Sequence, residues 1–241
     1  MVDPVVLAAQ ALPLIGHLDP EFLKLMDRIK EMLRHVFQTN NPFTMPISGT
    51  GSAGMEAAFV NFLQPGDRVV IGVNGVFGTR MTEVAFKYGA QVERVTKPWG
   101  QVFSPDDFMP ALRKGSPKLL AVVHAETSTG AWQPMEGLSK LAHDHGALLL
   151  VDTVTSLGGV PVTVDTWGAD IVYSGTQKCL SCPPGLAPLT LSPSAREALS
   201  RRAQTASLFP DTTPPPSNPN SIQSWYQDLT QLDKYWGEAR V

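Results

Sequence analysis

Lys178 sits in YSGTQKCLS, Tyr173 to Ser181, where a short apolar run opens into small and polar residues. Upstream by 26 residues, LLLVD ends on Asp152, a carboxylate at the tip of four apolar residues. A lysine held in a partly buried pocket has a lowered pKa and acts as an amine nucleophile, as in Schiff-base chemistry. A buried carboxylate calls for a cation beside it, such as a protonated ring nitrogen. Each residue also has a plainer reading: Lys178 as a solvated loop lysine, Asp152 as the cap of a following helix.

Other stretches could carry chemistry. Ser48-Gly49-Thr50-Gly51-Ser52 opens a helical run. Glycines permit a tight turn, free N–H groups at a helix start attract anions, and hydroxyls add donors for phosphate oxygens. The stretch is not a GxGxxG and lacks the Lys-Ser/Thr of a nucleotide P-loop. A plain Gly-rich turn with a Ser cap therefore competes with the phosphate reading. HAETSTG, His124 to Gly130, sets Thr127, Ser128 and Thr129 at a strand end, as ligand donors or as a polar turn. GVNGVFG places Phe77 between a strand and a helix. Cys179 and Cys182 spell CxxC, but Pro183-Pro184-Gly185 follows where a thioredoxin-like helix should run. No second pair completes a zinc site, so neither a redox nor a metal role is expected.

Positioning these residues takes a regular scaffold. Residues 20–37 carry Phe22, Leu25, Met26, Ile29, Met32, Leu33, Val36 and Phe37 at helical spacing, with Pro20 at the start. Pro42 and Pro46 frame an extended piece, and SAGMEAAFVNFL is a helix closed by Pro65-Gly66. Residues 68–73, 91–95, 118–124, 147–152, 170–174 and 188–192 read as strands; 79–88, 105–114 and 135–145 read as helices. Apolar runs that do not alternate mean burial on both faces. Strand–helix alternation with short Gly/Pro connections predicts an α/β fold, a mostly parallel sheet covered by helices on both faces. Ligands in such sheets bind at the carboxyl ends of strands. Residues 205–222, rich in Pro, Ser, Thr and Asn, read as a loop or linker, and 224–236 as a final helix.

The totals exclude several partners. A length of 241 residues suits one large α/β domain or two small ones. The net charge of −3 provides no basic field for nucleic acid or an acidic membrane surface. No apolar run approaches the roughly 20 residues of a membrane span. The N-terminus has no basic n-region, and its prolines and aspartates argue against a signal peptide. Two cysteines make no disulfide framework. Together these predict a cytoplasmic protein, or an organellar one if the true N-terminus lies upstream.

Combined, the candidates fit one cofactor. Pyridoxal 5′-phosphate needs a lysine amine, a phosphate cup at a helix N-terminus and a carboxylate against its pyridine nitrogen. Asp152 would keep that nitrogen protonated, and Phe77 is placed to stack on the ring. The order glycine–hydroxyl turn, aromatic, Thr/Ser turn, Asp, Lys runs along successive strand ends.

With those residues in view, the sequence resembles the class V (fold type I) PLP-dependent aminotransferases, in their alanine–glyoxylate and serine–glyoxylate branch. The resemblance is carried by IGHLDPEF, QTNNPFTMPISGTGSAGMEAAFVNFLQPGD, NGVFGTR, HAETSTG, LLLVDTVTSLGG, DIVYSGTQKCLSCPPG and SWYQDLTQLDKYW. It implies an aspartate aminotransferase-like large domain over 1–204, a Pro-rich loop or insertion at 205–222, and the end of that domain at 223–241. It implies that Lys178 is the Schiff-base lysine and Asp152 the partner of the pyridine nitrogen. Thr50, Gly51, Ser52 and Gln177 would line the phosphate. Phe77 would stack where many relatives have Trp, Thr127 would bond near the ring hydroxyl, and Val154 would pack on the other ring face. It further implies a homodimer acting on amino acids and 2-oxo acids, moving the amino group of alanine or serine to glyoxylate or pyruvate.

Against that family the chain is expected to be truncated at both ends. Relatives begin with a Gly/Pro-rich segment. They continue past KYWGEARV with a Tyr-His-His-Thr segment and a small C-terminal domain whose arginine clamps the substrate carboxylate. Two alternatives accompany the aminotransferase reading: a catalytically impaired PLP-binding remnant, and a PLP-dependent lyase such as a cysteine desulfurase. No cysteine follows Cys182, which argues against the lyase.

Overall fold

Apolar runs at regular intervals build one central sheet, and the intervening helices return the chain to its starting edge. The computed structural model describes residues 1–206, 221–237 and 240. Two helices come first, α1 (Pro4–Gln10) and α2 (Pro20–Phe37). Then follow β1 (Thr44–Ser48), α3 (Gly51–Phe62), β2 (Arg68–Val73), α4 (Val76–Lys87), β3 (Gln91–Thr96), α5 (Pro105–Leu112) and β4 (Leu119–Val123). A small hairpin, β5 (Ala125–Glu126) and β6 (Ala131–Trp132), precedes α6 (Leu138–Asp144), β7 (Leu148–Asp152), α7 (Val164–Trp167), β8 (Ile171–Tyr173) and β9 (Leu186–Leu191). Helices α8 (Pro193–Ala206) and α9 (Leu229–Trp236) complete the described chain.

The main sheet has seven strands in the order β1-β9-β8-β7-β4-β2-β3. Pairs β2–β3, β2–β4, β4–β7 and β7–β8 are parallel, while β9 runs antiparallel to both its neighbours. Successive strand residues point to opposite faces. Val69 and Ile71 accordingly join one core with Met55, Phe59 and Met81, and Val70 joins the other with Phe108, Leu120 and Leu138. Both faces are covered, so the apolar strand runs need not alternate.

Helix α2 matches its predicted span residue for residue. The Asp19 carboxylate accepts from Glu21 N–H at 2.8 Å at its start, and Gln38 closes it in the left-handed region at φ 50°. Other boundaries moved for tertiary reasons. Helix α4 opens at Val76 rather than 79, because the Glu126 carboxylate, distant in sequence, accepts from Phe77 and Gly78 N–H at 3.0 and 3.2 Å. Helix α6 opens at Leu138 rather than 135, after Gly137 at φ +80°. The final helix starts at Leu229 rather than 224, where Asp228 caps Thr230 N–H at 2.9 Å. Helices α1, α7 and α8 and the β5–β6 hairpin were not predicted. The loop expected at 205–222 lies outside the described residues except at its ends, and its first two residues close α8.

Helix α3 carries no stripe: nine of its twelve residues are buried, as suits a helix packed on all sides. Gly54 lets it lie flat on the sheet. A Cβ there would stand 3.0 Å from Tyr173 Cδ2 and 3.2 Å from Ala187 Cβ. Helix propensity favours replacing the glycine by up to about 1 kcal/mol, yet overpacking a tight contact costs about 1–3 kcal/mol. Gly54→Val is therefore expected to lower the free energy of unfolding by about 1–3 kcal/mol, read from the midpoint of urea denaturation at unchanged slope.

Candidate active site

Four elements converge at the carboxyl ends of the parallel strands. The start of α3 brings Gly51 and Ser52, the first turns of α4 bring Phe77 and Arg80, the tip of β7 brings Asp152 and then Val154, and the loop after β8 brings Gln177 and Lys178. With Met55 they line one cavity of about 170 Å³.

Asp152 is 2% exposed. Its Oδ1 accepts from Val154 N–H at 2.8 Å and its Oδ2 from the Tyr173 hydroxyl at 2.7 Å. The parallel register of β7 and β8 sets Asp152 against Tyr173, which puts both side chains on one face. Burial raises the Asp152 pKa to about 6; the two hydrogen bonds and the field of Arg80 only partly oppose this, and Glu126 adds to it. Burial, and then the charge of Asp152, hold the Tyr173 hydroxyl well above its usual pKa, so it stays a donor.

The walls are close. A Cβ on Gly51 would meet Val154 Cγ2 at 2.7 Å, and one on Gly175 would meet Gln177 Oε1 at 2.9 Å and Gly51 N at 3.2 Å. Gly49, at φ +123°, makes the turn into α3. The Gln177 Oε1 is buried without a hydrogen-bond partner among the described residues. Lys178 is exposed at the mouth, and its ammonium pairs with nothing among the described residues. Arg80 lies over the Phe77 ring, 4.9 Å from its centroid, and donates to Ser52 Oγ at 3.4 Å.

Seven of the nine residues expected from the sequence line this cavity: Gly51, Ser52, Phe77, Asp152, Val154, Gln177 and Lys178. Thr50 caps α3 by backbone position only, with no side-chain cap bond. Thr127 bonds the Thr155 hydroxyl and lines a neighbouring cavity of about 330 Å³ with Ser156 and Cys179. Both cysteines are free; the Cys179 thiol donates to Thr155 O at 3.1 Å and that of Cys182 to Leu180 O at 3.3 Å. Two residues escaped the sequence reading. Tyr173 stands at the head of the lysine stretch, and Arg80 follows Phe77 by three residues, one helical turn along the same face.

Comparison with known proteins identifies the family. The aminotransferase class-V family model matches residues 8–210. The chain is 40% identical to the (S)-ureidoglycine–glyoxylate transaminase of Bacillus subtilis over its whole length, covering 58% of that protein. It is 41% identical to the alanine–glyoxylate aminotransferase of Rattus norvegicus over 97% of this chain and 53% of the relative. The crystal structure of alanine–glyoxylate aminotransferase from Nostoc sp. superposes with a TM-score of 0.90 at 50% identity, over all of this chain and 59% of that one. The chain thus spans about half the length of the curated relatives it matches. A match over that much of its sequence shows that the chain belongs to the class-V aminotransferase family.

Proposed function

We propose that the cavity binds pyridoxal 5′-phosphate and serves the transfer of an amino group from alanine or serine to glyoxylate or pyruvate. The observation that carries this is a buried carboxylate, Asp152, sharing one small cavity with an unpaired lysine, Lys178. The names of the relatives support glyoxylate as acceptor. A second copy of this chain is the proposed partner; α1 buries none of its residues and exposes Val5 and Leu7, which suits an interface.

The residues present fit the group. Asp152 accepts only two hydrogen bonds and keeps lone pairs for a cationic N–H. Phe77 and Val154 offer faces for a flat ring, and glycines at 51 and 175 let the start of α3 approach Val154 and the lysine loop closely. Thr50, Gly51 and Ser52 at the start of a twelve-residue helix, with the Gln177 amide, suit a phosphate. Thr127, which lines a different cavity and bonds the Thr155 hydroxyl, is proposed only as a contact near the ring hydroxyl. Bound there, the cofactor supplies an electron sink for charge developing at the substrate α-carbon. Asp152 would hold a proton at the ring nitrogen. Lys178 would be the residue to hold the cofactor through its amine and to carry the proton at the substrate α-carbon as general acid and base. Phe77 and Val154, which line the cavity, would flank the ring and shield its faces from water.

Two outcomes follow. The full chain with excess cofactor is expected to show an absorption band at the blue edge of the visible, and Lys178→Ala to abolish it. A folded wild-type protein without the band refutes the assignment. The second concerns pH. The folded pKa of Asp152, about 6, lies above the ordinary value. The folded, cofactor-free state therefore holds this proton more tightly than the unfolded chain, and stability falls as pH rises from about 4 to about 6. Asp152→Asn can still accept from Val154 N–H and donates to the Tyr173 oxygen instead. It is expected to flatten that slope and stabilise the cofactor-free protein at pH 7 by up to about 3 kcal/mol, while weakening cofactor binding at least tenfold. Thermal melts between pH 4 and 8, with and without cofactor, measure both.

A further inference from the structure

Arg80 is a cation with no ion-pair partner among the described residues. It is half-buried and lines the cavity. A guanidinium presents five N–H donors, and the one side-chain bond Arg80 makes among the described residues, to Ser52 Oγ, is long at 3.4 Å. Stacking on Phe77 at 4.9 Å fixes its plane while leaving those donors free. The Glu126 carboxylate nearby is occupied by other donors, and Arg80 acts on Asp152 through its field without forming an ion pair with it. At the start of α3 the first backbone bonds, from Ala53 and Gly54 to Thr50 O, leave the Gly51 and Ser52 N–H groups without a helical acceptor. A cation, a hydroxyl and two free amides therefore meet where α3 and α4 face each other.

We propose that Arg80 is an anion-binding residue of this cavity, gripping the cofactor's phosphate from α4 while Ser52 and the α3 amides hold it from the other side. This rests on the cofactor reading above. A substrate carboxylate has the same chemistry of recognition, but the pairing of Arg80 with Ser52 at a helix N-terminus favours phosphate. The planar fork matches phosphate oxygens two at a time, which a lysine does not.

The test compares pyridoxal 5′-phosphate with pyridoxal, which lacks the phosphate, titrated into the full chain and its Arg80→Gln and Arg80→Lys variants by absorbance. For Arg80→Gln the Kd for pyridoxal 5′-phosphate is expected to rise about 10- to 100-fold, with that for pyridoxal changed less than about twofold; Arg80→Lys should fall between. The ratio of the two affinities is unaffected by a misfolded fraction. Equal loss for both ligands would show that Arg80 merely holds Phe77, and overturns the proposal. So does unchanged cofactor affinity combined with weaker glyoxylate binding to the loaded variant. Wild-type protein that binds neither ligand refutes the cofactor reading itself, a separate failure.

Discussion

The hydrogen bond from the Tyr173 hydroxyl to Asp152, 2.7 Å long and fully buried, ties the site to the fold. It exists because β7 and β8 run parallel in a register that sets the two residues side by side. A slip of one residue would turn either side chain to the opposite face of the sheet. The same tyrosine ring is the floor on which α3 rests through Gly54. One side chain thus sets the height of the carboxylate and the place where the α3 amides arrive. Its neutral O–H steadies the anion without cancelling its charge, so Asp152 remains short of a counter-ion.

Two buried acids near this cavity show how number of donors separates support from chemistry. Glu126 is 1% exposed and accepts from Phe77 N–H, Gly78 N–H, and the N–H and hydroxyl of Ser128. Its lone pairs are spent on opening α4 and closing its own turn. Asp152 has two donors and sits against open space. Buried carboxylates cost free energy unless their oxygens are satisfied. The acid left partly unsatisfied is the one whose surroundings suit a cationic ligand.

Most of the sheet and of the cavity was legible because the signals were local. Helix α2 has a full apolar stripe and a proline at its start, and β2 is six residues bounded by turns. Strand ends carry their chemistry in plain sequence, which is why Asp152, Gln177 and Lys178 could be read directly. The missed features depend on distant partners. The first turn of α4 exists through Glu126, and β5–β6 is only two residues on each side. Helix α8 begins with Pro193 and has a largely polar sequence that resembles a loop until its packing is known. Tyr173 reads as one more apolar strand residue, since only the register reveals what its hydroxyl meets. Arg80 reads as a solvated helix residue, since only the fold sets it over Phe77.

The loop that carries Lys178 separates rigidity from freedom. Ser174 N–H donates to Pro188 O at 2.8 Å and Ser174 Oγ to Thr153 O at 3.0 Å. Thr176 N–H reaches Leu186 O, its hydroxyl reaches Pro183 O, and Cys182 N–H returns to Thr176 O. The chain on either side of the lysine is thereby tied to Thr153 just past β7, to β9 and to itself, while the lysine side chain is held by nothing among the described residues. On the proposed reading, an amine that would first hold a ligand and then carry a proton needs a fixed base and a movable tip. A salt bridge to the ammonium would oppose both tasks, keeping it protonated and anchored elsewhere. The missing partner of Lys178 among the described residues and the incomplete donor set of Asp152 are therefore two sides of one arrangement: two groups lining one cavity, each left open to a ligand.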